Sequence, residues 1–203
     1  VAFEKASVTW HSSVMKLTIL GSSGSLSGPT NPASGYLVAV DNSPALLMDI
    51  GPGVLGKLQE IQDPCDAHVV FSHLHADHCG GNHLFAGKPI YVQPRELDDA
   101  HSDEEEYPIR EWVDAPGVQY VPVEGEHELL PGIRLVPAPG HCDGMQIVVV
   151  ETDGRPHIVG GDVAVWHGEF DEPPTEGRLR VLALDPELVW LSHEHEPWRP
   201  SPG

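Results

Sequence analysis

The chain has 203 residues, 40% hydrophobic and 21% charged, enough for one domain with a substantial core and unlike a disordered tail. Eleven Lys and Arg stand against 31 Asp and Glu, a formal charge of −20 that opposes binding of long RNA or DNA. No apolar run approaches the roughly 20 residues that cross a bilayer, and the first residues lack the zones of a signal peptide, so neither membrane nor secretion is expected. The 13 histidines outnumber Lys and Arg together, which directs attention to metal ligation and proton transfer. Cys65, Cys79 and Cys142 form no CxxC pair; they argue against a disulfide framework and fit a reducing, cytoplasmic compartment.

Residues 1–14 show no clear periodicity and end just before Met15, so they read as an extension or disordered tail ahead of a single domain over 15–203. Strand-like runs follow at Lys16–Leu20, Gly35–Val40, Ala45–Ile50 and Ala67–Ser72. The Gly/Ser-rich stretch Gly21 to Gly35 lacks the GK[ST] of a phosphate loop and reads as a flexible surface loop. Val54–Gln62 carries Val54, Leu55, Leu58 and Ile61 at helical spacing. Pro89–Gln93 reads as a strand and Pro94–His101 as a helix opened by proline. The acidic run Asp98 to Glu106 reads as solvated surface. Later strands are expected at Val118–Val123, Ile133–Pro137, Gln146–Glu151, Pro156–Gly160 and Leu188–Ser192, with a helix over Glu176–Leu184. Strands in groups, without strict βαβ alternation, suggest two sheets with outer helices.

The segment Phe71-Ser72-His73-Leu74-His75-Ala76-Asp77-His78 concentrates four donors in six positions after an apolar strand. His73 and His75 share one side of extended chain, and Asp77 and His78 follow where the chain turns. Imidazole and carboxylate donors together suit zinc, manganese or iron better than a thiol-selective ion. This HxHxDH pattern resembles that of the metallo-β-lactamase-fold hydrolases. Further landmarks extend the resemblance from about Lys16 to Trp198: Asp49-Ile50-Gly51, Pro139-Gly140-His141, Gly160-Gly161-Asp162 and Leu191-Ser192-His193.

The resemblance implies an α+β fold, a four-layer αββα sandwich, holding two divalent ions with zinc as first choice. His73, His75 and His141 would hold one ion and Asp77, His78 and His193 the other, with Asp162 bridging. Asp77 would also carry protons in catalysis. His195 competes with His193, which is preferred because it follows the apolar run directly. Asp49 is expected to fix its turn and orient ligands, Cys79 and Cys142 to pack, and His11, His68, His83, His101, His127, His157 and His167 to play no part in the centre.

The implied reaction is hydrolysis of a small-molecule substrate by a metal-bridging hydroxide; the motif does not choose the bond. The stretch from Leu17 to Cys79 resembles the ribonuclease Z and phosphodiesterase branch. From Gly80 on, including Pro137-Ala138-Pro139-Gly140-His141, the chain resembles the N-acyl homoserine lactonase and glyoxalase II branch. Residues 1–80 carry 3 basic and 7 acidic side chains, residues 81–203 carry 8 and 24. Two lineages joined near Cys79–Gly81, or one divergent lineage, would each account for this. The reading favours a small ester or lactone, with a small phosphodiester as alternative, a glyoxalase II-type thioester third, and a metal-binding scaffold with little catalysis as the non-enzymatic reading. Two departures weigh against the lactonase assignment: Val163-Ala164-Val165-Trp166 stands where such enzymes often carry a Tyr, and His141-Cys142-Asp143-Gly144 replaces His-Thr-x-Gly. A homodimer is compatible with the pattern.

Overall fold

The computed structural model describes residues 5–10, 13–24, 27–28, 30–40, 43–102, 107 and 109–200. Among the described residues, twelve strands form two sheets. In the first, β1 (Lys5–Trp10), β2 (Ser13–Gly21), β3 (Gly35–Val40) and β4 (Ala45–Met48) pair antiparallel. The sheet continues in parallel through β5 (Ala67–Val70), β6 (Pro89–Val92) and β7 (Gln119–Pro122). In the second, β8 (His127–Leu130), β9 (Ile133–Pro137), β10 (Gln146–Val150) and β11 (His157–Gly161) are antiparallel, and β12 (Leu188–Leu191) joins β11 in parallel. The extension expected ahead of Met15 therefore contributes an edge strand, β1.

Alternation along the strands stacks the layers. Val38, Leu46, Val148 and Val150 point between the sheets, where they meet Met15, Tyr36, Leu135 and Trp190. Their sequence neighbours Leu37 and Leu47 face the other way, onto Val54 and Leu58 of α1 (Val54–Gln59) and Ala100 of α3 (Pro94–Ala100). On the far side, Ile147, Val149, Ile158 and Val189 cover Val181 of α5 (Glu176–Ala183). Because both faces of each central strand are buried, β4, β10, β11 and β12 are apolar or small apart from the leading Gln146 of β10 and His157 of β11. Helix, sheet, sheet, helix is the expected αββα order. One-turn helices α2 (Ala76–Cys79) and α4 (Arg110–Val113) complete the set.

Two expectations need correction. The stretch from Gly21 to Gly35 is not a free surface loop over its described residues: Ser22, Gly24, Ala33 and Ser34 are buried, and Ser23 N–H donates to Pro32 O. The acidic run is not uniformly solvated: Asp99 is buried and accepts from Arg95 Nε at 3.1 Å, while residues 103–106 lie outside the described residues. His11 also lies outside them.

Candidate metal centre

The expected donors meet where strands end. β5 runs out at Val70, the chain bends at Ser72, His75 is extended (φ −64°, ψ 155°), and α2 follows. This brings His73 Nε2 to 3.0 Å from His75 Nδ1. His141, on the turn after β9, reaches the same point, its Nε2 3.1 Å from His75 Nδ1. Asp162 follows β11 and His193 follows β12, which lie side by side in parallel, and His193 Nε2 sits 3.0 Å from Asp162 Oδ2. Asp77 Oδ2 stands 3.8 Å from both His78 Nε2 and His193 Nε2. Asp162 lies between the groups, 3.4 Å from His78 Nε2 and 3.6 Å from His141 Nε2.

Among the described residues three overlapping donor sets arise: His73, His75 and His141; His73, His78 and Asp162; and Asp77, His78 and His193, each with donor atoms within 4.8 Å of one another. All seven expected donors are thus drawn together. His195 is not among them; it is exposed, with Nδ1 3.2 Å from Ser22 Oγ.

The donor chemistry fits a cation. Nitrogen ligands at about 2.0 Å in tetrahedral array stand about 3.3 Å apart, close to the spacing of the His73, His75 and His141 nitrogens. His78 Nε2 and Asp162 Oδ1 are buried and, though 3.4 Å apart, neither makes a hydrogen bond, and such buried polar atoms need a reason.

Neighbouring groups fix the tautomers. Asp49 is fully buried and accepts from Ser34 Oγ (3.0 Å), Ser72 N (2.8 Å), Ser72 Oγ (2.8 Å) and His78 Nδ1 (2.8 Å). In the neutral ring, a proton on His78 Nδ1 leaves Nε2 as the free lone pair. With its own proton on Asp49, Ser72 Oγ accepts from His73 Nδ1 at 3.0 Å, which frees His73 Nε2 in the same way. Asp49 holds φ +62°, unusual for a non-glycine residue, and its turn is tied to α2: Ile50 N–H donates to His78 O and Gly81 N–H to Ile50 O, both at 2.7 Å. A Cβ on Gly51 would lie 1.9 Å from Asp77 O, so only glycine permits that approach.

Electrostatics divide the donors. Burial lowers the His73 imidazole well below its usual value; burial, helped by neighbouring His141, lowers His75 to about 4. Both are neutral, as ligands must be. Burial also opposes charge on His78, but the Asp162 and Asp49 carboxylates outweigh it and raise it well above the ordinary range. His193 is raised chiefly by its hydrogen bond to Asp162. Burial would push Asp162 up, yet His78 and His193 hold it well below the carboxylate range.

Several contributors went unnoticed in the sequence. Ser34, Ser72 and Ser192 join Asp49 in a buried network, with Ser34 Oγ 3.0 Å from Ser192 Oγ. Gly24 (φ +60°) lies so close to the His193 ring that a Cβ there would fall 2.2 Å from Nδ1. Glu96, in the first turn of α3, is fully buried beneath the His73–His75 loop. Each depends on contacts between residues distant in sequence, for which no short motif exists.

The remaining assignments can be placed directly. Cys79 and Cys142 are buried, absent from the donor sets, and donate to Leu74 O and Glu96 Oε2. His101, His157 and His167 contact Asp114, Glu187 and Glu196 O away from the centre. Val163 and Ala164 are buried and Trp166 is exposed where a Tyr was sought.

The fold and site define a metallohydrolase class, and comparison agrees: a sequence model of the metallo-beta-lactamase superfamily matches residues 29–173, and the chain belongs to that family. An N-acyl homoserine lactonase from a Bacillus species is 40% identical over 119 residues, 58% of this chain and 46% of that protein. An uncharacterized protein of Mycobacterium tuberculosis is 55% identical over 65 residues, 32% of this chain and 24% of that protein. The chain thus spans less than half the length of either relative. A Bacillus thuringiensis AiiA variant with N-decanoyl-L-homoserine bound superposes with a TM-score of 0.68 at 22% identity, covering 94% of this chain and 93% of that one. No helix among the described residues is long and apolar enough to cross a membrane.

Proposed function

We propose that this chain is a dinuclear metal-dependent hydrolase of a small ester or lactone. The observation that carries the reading is the position of Asp162, at the end of β11, between two three-donor sets that follow β5, β9 and β12. His73, His75 and His141 would hold one ion, Asp77, His78 and His193 the other, with Asp162 shared and zinc the first choice of metal. Such a pair, when bound, supplies an activated water and a Lewis acid for the carbonyl oxygen.

The chain's own residues do the rest. Asp49 and Ser72 keep the protons of His78 and His73 on Nδ1, so that both present Nε2. Asp77 Oδ2 takes the proton released from the attacking water and returns it to the leaving oxygen. The named lactonase relative and the neighbour with an acyl-homoserine bound support the ester or lactone class.

A phosphodiester substrate is the second reading, favoured by one observation: Val163 to Trp166 offers no phenolic donor beside Asp162 for a carbonyl oxygen. Metal analysis and a substrate panel decide between them. Two equivalents of metal and turnover of lactones or aryl esters are expected. Cleavage of bis(p-nitrophenyl) phosphate without any lactone or ester turnover would replace the first reading with the second. Metal uptake without turnover of any substrate would leave the scaffold reading.

A further inference from the structure

Glu96 is a carboxylate with no exposure and three donors from three segments. Leu74 N–H, between His73 and His75, donates to Oε1 at 2.7 Å. The Tyr107 hydroxyl donates to the same oxygen at 2.9 Å, and its ring lies 5.0 Å, centroid to centroid, from that of His75. The Cys142 thiol, next to His141, donates to Oε2 at 3.1 Å. No cation neutralises Glu96 among these contacts; its partners are a peptide, a phenol and a thiol. Burying a carboxylate this way is costly unless hydrogen bonding compensates, so the arrangement calls for a function beyond packing.

The backbone is shaped around it. Glu96 is the third residue of α3, and Arg95 before it faces outward to Asp99 and Asp143. A Cβ on Gly144 would fall 2.0 Å from Glu96 N, so the His141 turn presses directly on the start of this helix. The three segments that Glu96 joins are those that carry or flank His73, His75 and His141. Among the described residues, none of these hydrogen bonds reaches Asp77, His78 or His193.

We infer that Glu96 is a positioning residue for one half of the metal centre: its carboxylate locks the His73–His75 loop, Tyr107 and the His141 turn into the geometry that converges three imidazole nitrogens. The inference rests on the dinuclear reading. Oε1 serves the His75 side and Oε2 the His141 side, so one rigid group sets the distance between loops 66 residues apart. Residues that orient ligands from behind are typically worth about 10- to 100-fold in metal affinity.

Cobalt(II) titration of the metal-free full chain, followed by visible absorption, tests this without relying on activity. Wild type is expected to bind two equivalents. Glu96→Ala should weaken one of them by about 10- to 100-fold with an altered spectrum, and leave the other within about threefold. Glu96→Gln should lose clearly less than Glu96→Ala, because its amide oxygen still accepts from Leu74 and Tyr107 and its N–H can donate to the Cys142 sulfur in place of the lost thiol donation. Both affinities and the spectrum unchanged in a folded Glu96→Ala chain, or Glu96→Gln falling as far as Glu96→Ala, overturns the proposal. If Glu96→Ala does not fold, Tyr107→Phe decides, since it removes one donor and keeps the ring: a loss of about threefold or more in one equivalent is expected, and none overturns the role. A wild-type chain that takes up no cobalt overturns the metal centre itself, and this proposal with it.

Discussion

The two sides of the centre are built by different means. On the β5 side, His73 and His78 are fully buried and their Nδ1 atoms are tied to Ser72 and Asp49, so orientation comes from directional hydrogen bonds. On the β12 side, His193 has a side chain 24% exposed; its Nε2 faces Asp162 and a glycine backbone stands against its ring. One side is wired and the other is propped. The wired side suits donors that must not move, and the propped side leaves part of the His193 ring open to solvent.

The largest expected effect removes what both sides share. Asp162→Asn should reduce bound metal below two equivalents and lower kcat/KM by about 10³-fold or more, about 4 kcal/mol of transition-state stabilisation. Metal analysis and steady-state kinetics check it, and full metal content with unchanged kinetics would remove Asp162 from the bridge.

Next comes the wiring. Asp49→Asn replaces a buried acceptor of four hydrogen bonds with a group that must donate on one side. It should cost about 2–4 kcal/mol in urea unfolding as well as metal affinity. A variant as stable as wild type would mean that the network is not what holds the β5 side.

The propped side should respond through affinity more than stability. Gly24→Ala places a methyl group on the His193 ring at positive φ, and is expected to weaken one metal equivalent by about tenfold in chelator competition. Gly28→Ala, with open space around its Cβ, should stay within about a factor of two. Equal behaviour of the two variants would erase the distinction between the loop's buried and exposed ends.

The smallest and most selective contrast is protonation. In metal-free protein, falling pH should charge His78 and His193 first, above the ordinary histidine value of 6.5, because carboxylates hold their protons: Asp162 and Asp49 for His78, Asp162 for His193. His75 should stay neutral until about pH 4, because burial disfavours its cation. Proton competition therefore grows in the Asp77, His78 and His193 set while His75 is still a free base, and metal held by that set should be lost first. Imidazole resonances followed by NMR across pH 4 to 8 would show the order; the reverse order would contradict the assignment.

The sequence was most readable where chemistry and periodicity are local. Gly35–Val40 and Ile133–Pro137 have the strand limits their apolar patterns suggest, and the HxHxDH run sits at a strand end. β8 was missed because His127–Leu130 is exposed to half-buried and short, with little apolar pattern to read. Residues 1–14 lack strong periodicity and give no sign of β1, yet β2 offers Lys5–Trp10 a complete antiparallel partner. Ligand order could be read because donor types recur at recognisable strand ends. The support for those ligands could not, since Glu96 lies 22 residues from Leu74 and 46 from Cys142, and Gly24 is far from His193.

Gly51 shows how far such support reaches. It offers no side chain to any ion, yet its missing Cβ is what lets the Asp49 turn lie against the carbonyl of Asp77. In a saturation mutagenesis library selected for activity, position 51 should be as intolerant as the histidines themselves, and no replacement side chain, however small or conservative, should recover it. A tolerance map of this chain would therefore outline the centre by its silent neighbours as clearly as by its donors.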